Sequence, residues 1–193
     1  MPVADRTQYI EAIQNLRQSV SDEELQTGEL AVNAFGLPLV WTGNFADVYR
    51  VHCPQTGNTW AVKCFARETP GLRERYRQIT AHLQDNRLGF TVDFQFVEPG
   101  LHVGSQWVPI LKMRWVEGLT LNKFVSQYAD QPKTLQKLLQ LWPILAMRSR
   151  QAQLAHGDLQ HGNVLLVPVP GTEKLSLKLV DYDGMFVPTL TGH

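Results

Sequence analysis

Apolar residues recur along this chain with two different periods, and the switches between them mark out its elements. Tyr9, Ile13, Leu16 and Val20 follow one another at spacings of four, three and four, which predicts an amphipathic helix near the start. Ser21-Asp22-Glu23-Glu24 reads as a capping box that opens a short second helical turn. From Leu39 to Val51 the pattern predicts a strand, a tight loop and a second strand, and Pro54-Gln55-Thr56-Gly57-Asn58 supplies the next turn. Helical spacing returns over 71–84, with Leu72, Tyr76, Ile79 and Leu83 on one stripe. Thr91 to Val97 and Trp107 to Trp115, rich in aromatic and branched residues, predict two strands, with Glu98-Pro99-Gly100 breaking between them. Leu119 to Tyr128 and Thr134 to Ala155 are helical by period. The second carries Leu135, Leu138, Trp142, Leu145, Ser149 and Ala152 on one face, and its Pro143 predicts a kink or two abutting helices. Val164-Leu165-Leu166-Val167 and Leu175 to Val180 close the pattern as two short strands. The mixture predicts an α+β fold.

Composition narrows the classes of function. Lys plus Arg number 18 and Asp plus Glu number 18, so no broad positive surface for nucleic acid is expected. No apolar run approaches the roughly 18 residues needed to span a bilayer, and Met1 to Glu11 lacks the apolar core of a signal peptide. The expected protein is soluble and cytoplasmic, with neither nucleic acid nor membrane as partner. Cys53 and Cys64 are too few for a disulfide framework and have no metal-like neighbours, which suggests a loop thiol and a strand residue. There is no internal repeat or low-complexity segment.

Three motifs carry candidate chemistry. His156-Gly157-Asp158-Leu159-Gln160-His161-Gly162-Asn163 sets an Asp five residues before an Asn. Lys178-Leu179-Val180-Asp181-Tyr182-Asp183-Gly184 sets a second acidic loop directly after an apolar strand, and Ala61-Val62-Lys63 lies upstream of both. A lone His-Gly-Asp is a common turn, with Gly giving backbone freedom and Asp capping the next segment. In this order the three resemble the catalytic loop, the metal-binding loop and the lysine strand of the protein-kinase superfamily. The resemblance runs from about Leu39 to the terminus and implies a bilobal fold with an antiparallel-sheet N-lobe and a helical, truncated C-lobe. On that reading 39–116 is the N-lobe, 117–193 a partial C-lobe, and 1–38 a helical extension packed on the small lobe or used for docking or regulation. A complete kinase domain runs to roughly 250 residues. This chain stops nine residues after Gly184, before an Ala-Pro-Glu-like element and the helices behind it, so the resemblance implies either a piece of a longer chain or a naturally minimal variant.

The activity that the resemblance implies is transfer of the γ-phosphate of ATP, with ATP and Mg2+ as cofactors. Such catalysis is positioning plus compensation of spread negative charge. Lys63 would supply a fixed positive charge, Asp181 a hard oxygen ligand for metal, and Asn163 a neutral oxygen for a second metal. Asp158 would orient the attacking hydroxyl and accept its proton. For the nucleotide, Gly43, Phe45 and Val48 keep their places in a Gly-x-Gly-x-x-Gly-x-Val loop while Trp41 and Ala46 replace its first and third glycines, a weakened cradle. Val48, fifteen positions before Lys63, would cover the adenine beside Ala61. Met113 would be the gatekeeper, Arg114 to Val116 the hinge, and Glu117 a ribose contact; a plain strand end with a Gly turn is the competing account.

The lysine-pairing carboxylate is displaced from the usual pattern. Gln78, Ile79 and His82 occupy its range, and the nearest helix acid is Glu74, eleven residues after Lys63, which reads equally as a surface acid flanked by Arg73 and Arg75. Gly157 stands where regulated protein kinases carry Arg, which speaks against control by activation-segment phosphorylation. Gln160 stands where Ser/Thr kinases carry Lys, and Asp183 is a second metal ligand or a turn residue. The reading is a Ser/Thr protein kinase acting on a protein hydroxyl. A small-molecule kinase of the aminoglycoside or choline phosphotransferase type and a pseudokinase that binds nucleotide for regulation remain as alternatives.

Overall fold

In the computed structural model, which describes residues 6–43, 46–66 and 69–190, a long antiparallel hairpin sets the frame. It is made of β3 (Ala46–Cys53) and β4 (Asn58–Phe65), joined by the turn that Pro54 to Gly57 predicts. The chain divides into two compact units, one of residues 1–73 and 93–115 and one of residues 74–92 and 116–193. Both are mixed α+β with antiparallel sheets.

The first unit is built on a six-stranded sheet. Its other members are β1 (Glu29–Leu30), β2 (Val40–Thr42), β5 (Phe94–Val103) and β6 (Gln106–Arg114), in the order β1-β3-β4-β6-β5 with β2 also paired to β3. Side chains alternate across the pleat, so one face collects Tyr49, Val51, Cys53, Val62, Cys64 and Ile110. That face is covered by α1 (Arg6–Gln14) and α2 (Leu16–Ser19), whose Tyr9, Ile13 and Leu16 complete the core with Val20. The predicted N-terminal stripe is thus the buried face. The helix breaks at Asn15, where the Ser19 hydroxyl donates to the Ala12 carbonyl at 2.6 Å and the Asn15 carbonyl at 2.7 Å. Burying Ile13 completely contributes about 2 kcal/mol.

The capping box is shifted by one residue. Asp22, not Ser21, caps α3 (Glu23–Gln26), its Oδ1 accepting the Leu25 N–H at 2.9 Å. Glu24 turns to the sheet, where it accepts from Lys112 Nζ at 2.8 Å, Asn58 Nδ2 at 2.7 Å and the Thr56 hydroxyl at 2.5 Å. Lys112, buried, also donates to Asp22 at 2.8 Å. Burial pushes the Glu24 carboxyl up, but these hydrogen bonds outweigh it and hold the group at about 2. A depressed carboxyl stabilises the fold above its unfolded pKa near 4.3 and loses that stabilisation as pH falls toward about 2. Glu24→Gln is therefore expected to flatten the loss of stability between about pH 4 and pH 2 in acid-unfolding curves, and curves of equal slope would refute the role.

Two further expectations are corrected. Glu98-Pro99-Gly100 does not end a strand: β5 runs through it with a register shift between Val97 and Leu101. The bulge absorbs Pro99, and Gly100 fits because a Cβ there would lie 2.7 Å from both the Ile110 nitrogen and the Val97 oxygen. Cys53 is not a loop thiol; it ends β3 inside the core, where burial pushes its pKa to about 11.

The second unit holds most of α4 (Leu72–Asn86), with Tyr76, Ile79 and Leu83 buried as the stripe predicts. It continues with β7 (Leu119–Thr120), α5 (Leu121–Gln127), α6 (Pro132–Gln151), the hairpin β8 (Val164–Pro168) and β9 (Leu175–Leu179), and a short 3-10 turn over Pro188–Leu190. The three strands form a sheet in the order β7-β8-β9. α6 runs through Pro143 as one helix, not two, and stops before Ala155; Leu138 and Leu145 are its buried face. His82 of α4 bonds the Ala152 carbonyl at 2.7 Å, tying the end of α6 to α4. Lys178 donates to the Gly89 carbonyl at 2.7 Å and fixes the turn after α4. Among the described residues no helix is long and apolar enough to cross a membrane.

Candidate functional site

In the first unit, strand register gathers four of the expected nucleotide residues, Val48, Ala61, Lys63 and Met113, on the sheet face opposite the hydrophobic core. Val48 lies directly across from Lys63, Ala61 across from Met113, and Trp41 across from Val48. The spacing of fifteen between Val48 and Lys63 is what a two-strand hairpin with this turn requires. Lys63 is 8% exposed, and its Nζ sits 5.8 Å from the centroid of the Phe65 ring. Met113 is buried, while Val48 and Ala61 are half-buried. The loop before β3 closes by the Gly43 N–H donating to the Ala46 carbonyl at 2.9 Å. Arg6 reaches this loop from α1, bonding the Gly43 carbonyl at 3.1 Å and standing 3.3 Å from Asp47. Phe45 lies outside the described residues.

The expected hinge is divided in its directions. Arg114 pairs with Trp60, so its side chain takes the core face; its guanidinium lies 4.2 Å from the Trp60 ring and donates to Asn58 Oδ1 at 2.5 Å. Its N–H is committed to the Asp93 carbonyl at 2.8 Å, and the Trp115 N–H to the Thr59 carbonyl at 2.9 Å. The Trp115 ring packs on Trp41 at 4.9 Å. In the second unit Val116 is half-buried and Glu117 exposed.

The acidic loops lie together in the second unit because the β8–β9 hairpin brings their ends side by side. Val164 pairs with Leu179, and the Val180 N–H donates to the Asn163 carbonyl at 3.0 Å, so Asn163 stands beside the residue preceding Asp181. The Asn163 amide nitrogen donates to Asp158 Oδ2 at 2.9 Å and to the Asp158 carbonyl at 3.1 Å. Asp158 is exposed while Asn163 is buried, so a solvent-facing carboxylate is steered by a fixed amide. Gln160 adds a longer contact to the same oxygen at 3.4 Å. His156 bonds the Val180 carbonyl at 3.1 Å and meets the Tyr182 ring edge-on at 6.0 Å. Burial pushes the imidazole below its ordinary pKa, so it is neutral at pH 7 and can hold this bond without a charge.

Gly157 explains itself here. Its φ of 77° is left-handed, and a Cβ on it would lie 2.7 Å from the Gly184 carbonyl carbon and still closer to its oxygen. The two acidic loops are packed backbone to backbone at a point where no side chain fits. Asp181 itself has φ 65°, uncommon for a residue with a side chain and tolerated best by Asn and Asp.

Glu74 is on the exposed side of α4, accepting from Arg77 at 2.6 Å and from Gln78 at 2.6 Å. Asp183 accepts from the Tyr76 hydroxyl, a partner that nothing in the local pattern announces. Arg75, read only as a neighbour of Glu74, donates to the Asp183 carbonyl at 3.0 Å and the Met185 carbonyl at 2.7 Å. Among the described residues no group of three or more His, Cys, Asp or Glu side chains is placed to hold a metal. The oxygen donors of the loops are instead one carboxylate at Asp181, one at Asp158 and the amide of Asn163.

No protein-family model matches this sequence, and no curated protein matches it.

Proposed function

We propose that this chain is an ATP- and Mg2+-dependent phosphotransferase of the protein-kinase-like bilobal type, with the first unit as small lobe, transferring the γ-phosphate to a protein Ser or Thr hydroxyl. The observation that carries the reading is that the hydrogen-bonded pair Asp158 and Asn163 lies at the same end of the β8–β9 hairpin as Val180, the residue that leads into Asp181. Lys63, Val48, Ala61 and Met113 sharing one sheet face supports it.

The donor set fits a hard divalent cation. Asp181 offers a carboxylate, and Asn163, its amide nitrogen committed to Asp158, offers the amide oxygen at its other end. Bound Mg2+ supplies neutralisation of phosphate charge. Asp158 receives the proton of the acceptor hydroxyl as the new O–P bond forms and the bond to the ADP oxygen breaks; Asn163 fixes the direction in which that carboxylate points. Lys63 holds positive charge against the phosphates. Protein rather than small-molecule acceptors are favoured by the likeness of Ala61-Val62-Lys63-Cys64-Phe65 and Val116-Glu117-Gly118 to protein kinases, which is analogy.

The experiment is transfer of radiolabel from γ-labelled ATP to the chain itself and to a generic protein acceptor, with a parallel screen of amino and choline alcohols. Labelled protein supports the proposal, and labelled small molecule moves it to the alternative acceptor class. A nucleotide-binding regulatory module is the second reading, favoured by Trp41 and Ala46 in the places of glycines, and ATP binding without any transfer selects it.

A further inference from the structure

Asp181 is held in a left-handed conformation, and the chain around it is fastened at several separate points, all within the second unit. On one side the Tyr182 hydroxyl, fully buried, donates to the Leu179 carbonyl at 2.9 Å and accepts the Val92 N–H at 2.7 Å. On the far side the Phe186 N–H donates to the Ala155 carbonyl at 2.7 Å. Between them, α4 supplies two consecutive side chains. Arg75 spans the Asp183 and Met185 carbonyls through Nε and Nη2, and the Tyr76 hydroxyl donates to Asp183 Oδ1. Consecutive helical residues diverge by about 100°, yet both meet this segment, because Tyr76 reaches it from the buried stripe and Arg75 from the helix flank.

We propose that Arg75 and Tyr76 are positioning residues that set the metal ligand Asp181 by clamping Asp183 to Met185 onto α4. The assignment of Asp181 as ligand rests on the phosphotransferase reading; the clamp itself does not. It makes Asp183 a hydrogen-bond acceptor for the helix and not a second metal ligand. Tyr76 is suited to this because it is fully buried, and burial together with the neighbouring Asp183 raises its pKa, so it remains a donor at any physiological pH. Residues that orient a metal ligand from behind typically change metal affinity by roughly ten- to a hundredfold when altered.

Tyr76→Phe removes the hydroxyl and keeps the ring that fills the core, and Arg75→Gln shortens and neutralises the clamp. Two readouts are made on each: amide hydrogen exchange across 181–186, and Mn2+ binding in the presence of a non-hydrolysable ATP analogue, followed by electron paramagnetic resonance. Either variant is expected to speed exchange at the Met185 and Phe186 amides about tenfold, with the β8–β9 amides unchanged, and to weaken Mn2+ about tenfold. Asp183→Asn keeps an acceptor oxygen for Tyr76 and is expected to bind Mn2+ within about twofold of the parent, whereas a metal ligand at that position would lose on the order of tenfold or more. Unchanged exchange in both clamp variants overturns the proposal, as does strong loss of Mn2+ in Asp183→Asn alone. Faster exchange in a protein whose parent binds no Mn2+ leaves the clamp standing and removes the phosphotransferase reading.

Discussion

Gly157→Ala is expected to lower the unfolding midpoint of the protein by about 6–12 °C. Two costs combine at that position. A side chain at φ 77° costs on the order of 1–2 kcal/mol. Its Cβ would also press into the Gly184 carbonyl, 2.7 Å from the carbon, and that neighbour is backbone and cannot rotate away. Overpacking of this kind costs about 1–3 kcal/mol, so the sum is near 3 kcal/mol, and each kcal/mol moves the midpoint of a domain of this size by about 2–4 °C. Gly162→Ala is the control in the same loop, since a Cβ there meets nothing within 4 Å and its φ is not left-handed. Calorimetry of the two variants should separate them clearly. Equal midpoints would mean that the loops are not packed backbone to backbone.

The second large effect is chemical. Asp158→Asn should reduce phosphate transfer by on the order of a hundredfold or more, the scale of a positioned general base. The amide variant is preferred to Ala because it keeps an oxygen for the Asn163 amide, which is buried and would otherwise lose the acceptor 2.9 Å away. Folding should therefore be preserved, as near-ultraviolet circular dichroism would verify. Transfer within about threefold of the parent would assign the labelling to another residue or to a contaminating enzyme.

How far the sequence disclosed all this depends on whether the relevant contacts are local. Period-2 and period-3.6 patterns found the hairpin of β3 and β4 and the buried stripe of α4, because each strand or helix declares its own apolar face. The spacing of Val48 and Lys63 was legible for the same reason: two strands and a short turn fix the register. Local punctuation misled where tertiary packing overrode it. Glu98-Pro99-Gly100 has the composition of a break, yet pairing with β6 carries β5 through it by means of a bulge. Of the two readings of Pro143, the junction of two helices is the one removed, since the residue lies within one continuous helix. Asp22 displaced Ser21 as cap because the Ser21 hydroxyl is drawn to the Pro99 carbonyl, a partner far along the chain.

In the candidate site the acidic loops were visible as motifs, and their meeting followed from the hairpin between them. The polar links to α4 were not. Tyr76 and Asp183 are separated by 107 positions, and Tyr76 already satisfies the apolar stripe, so its hydroxyl left no signature in the periodicity. Arg75 beside Glu74 invited a surface ion pair, whereas Glu74 pairs with Arg77 and Arg75 turns to the loop carbonyls.

The central claim is that this chain binds ATP together with Mg2+. Calorimetric titration of ATP, with Mg2+ and again in excess chelator, into the parent protein and Asp181→Asn tests it most directly. The account predicts saturable binding that needs the metal, a matching stabilisation of about 2.7 kcal/mol at a hundredfold excess over Kd, and loss of the metal dependence in Asp181→Asn. No heat and no stabilisation at millimolar ATP and Mg2+ would contradict it.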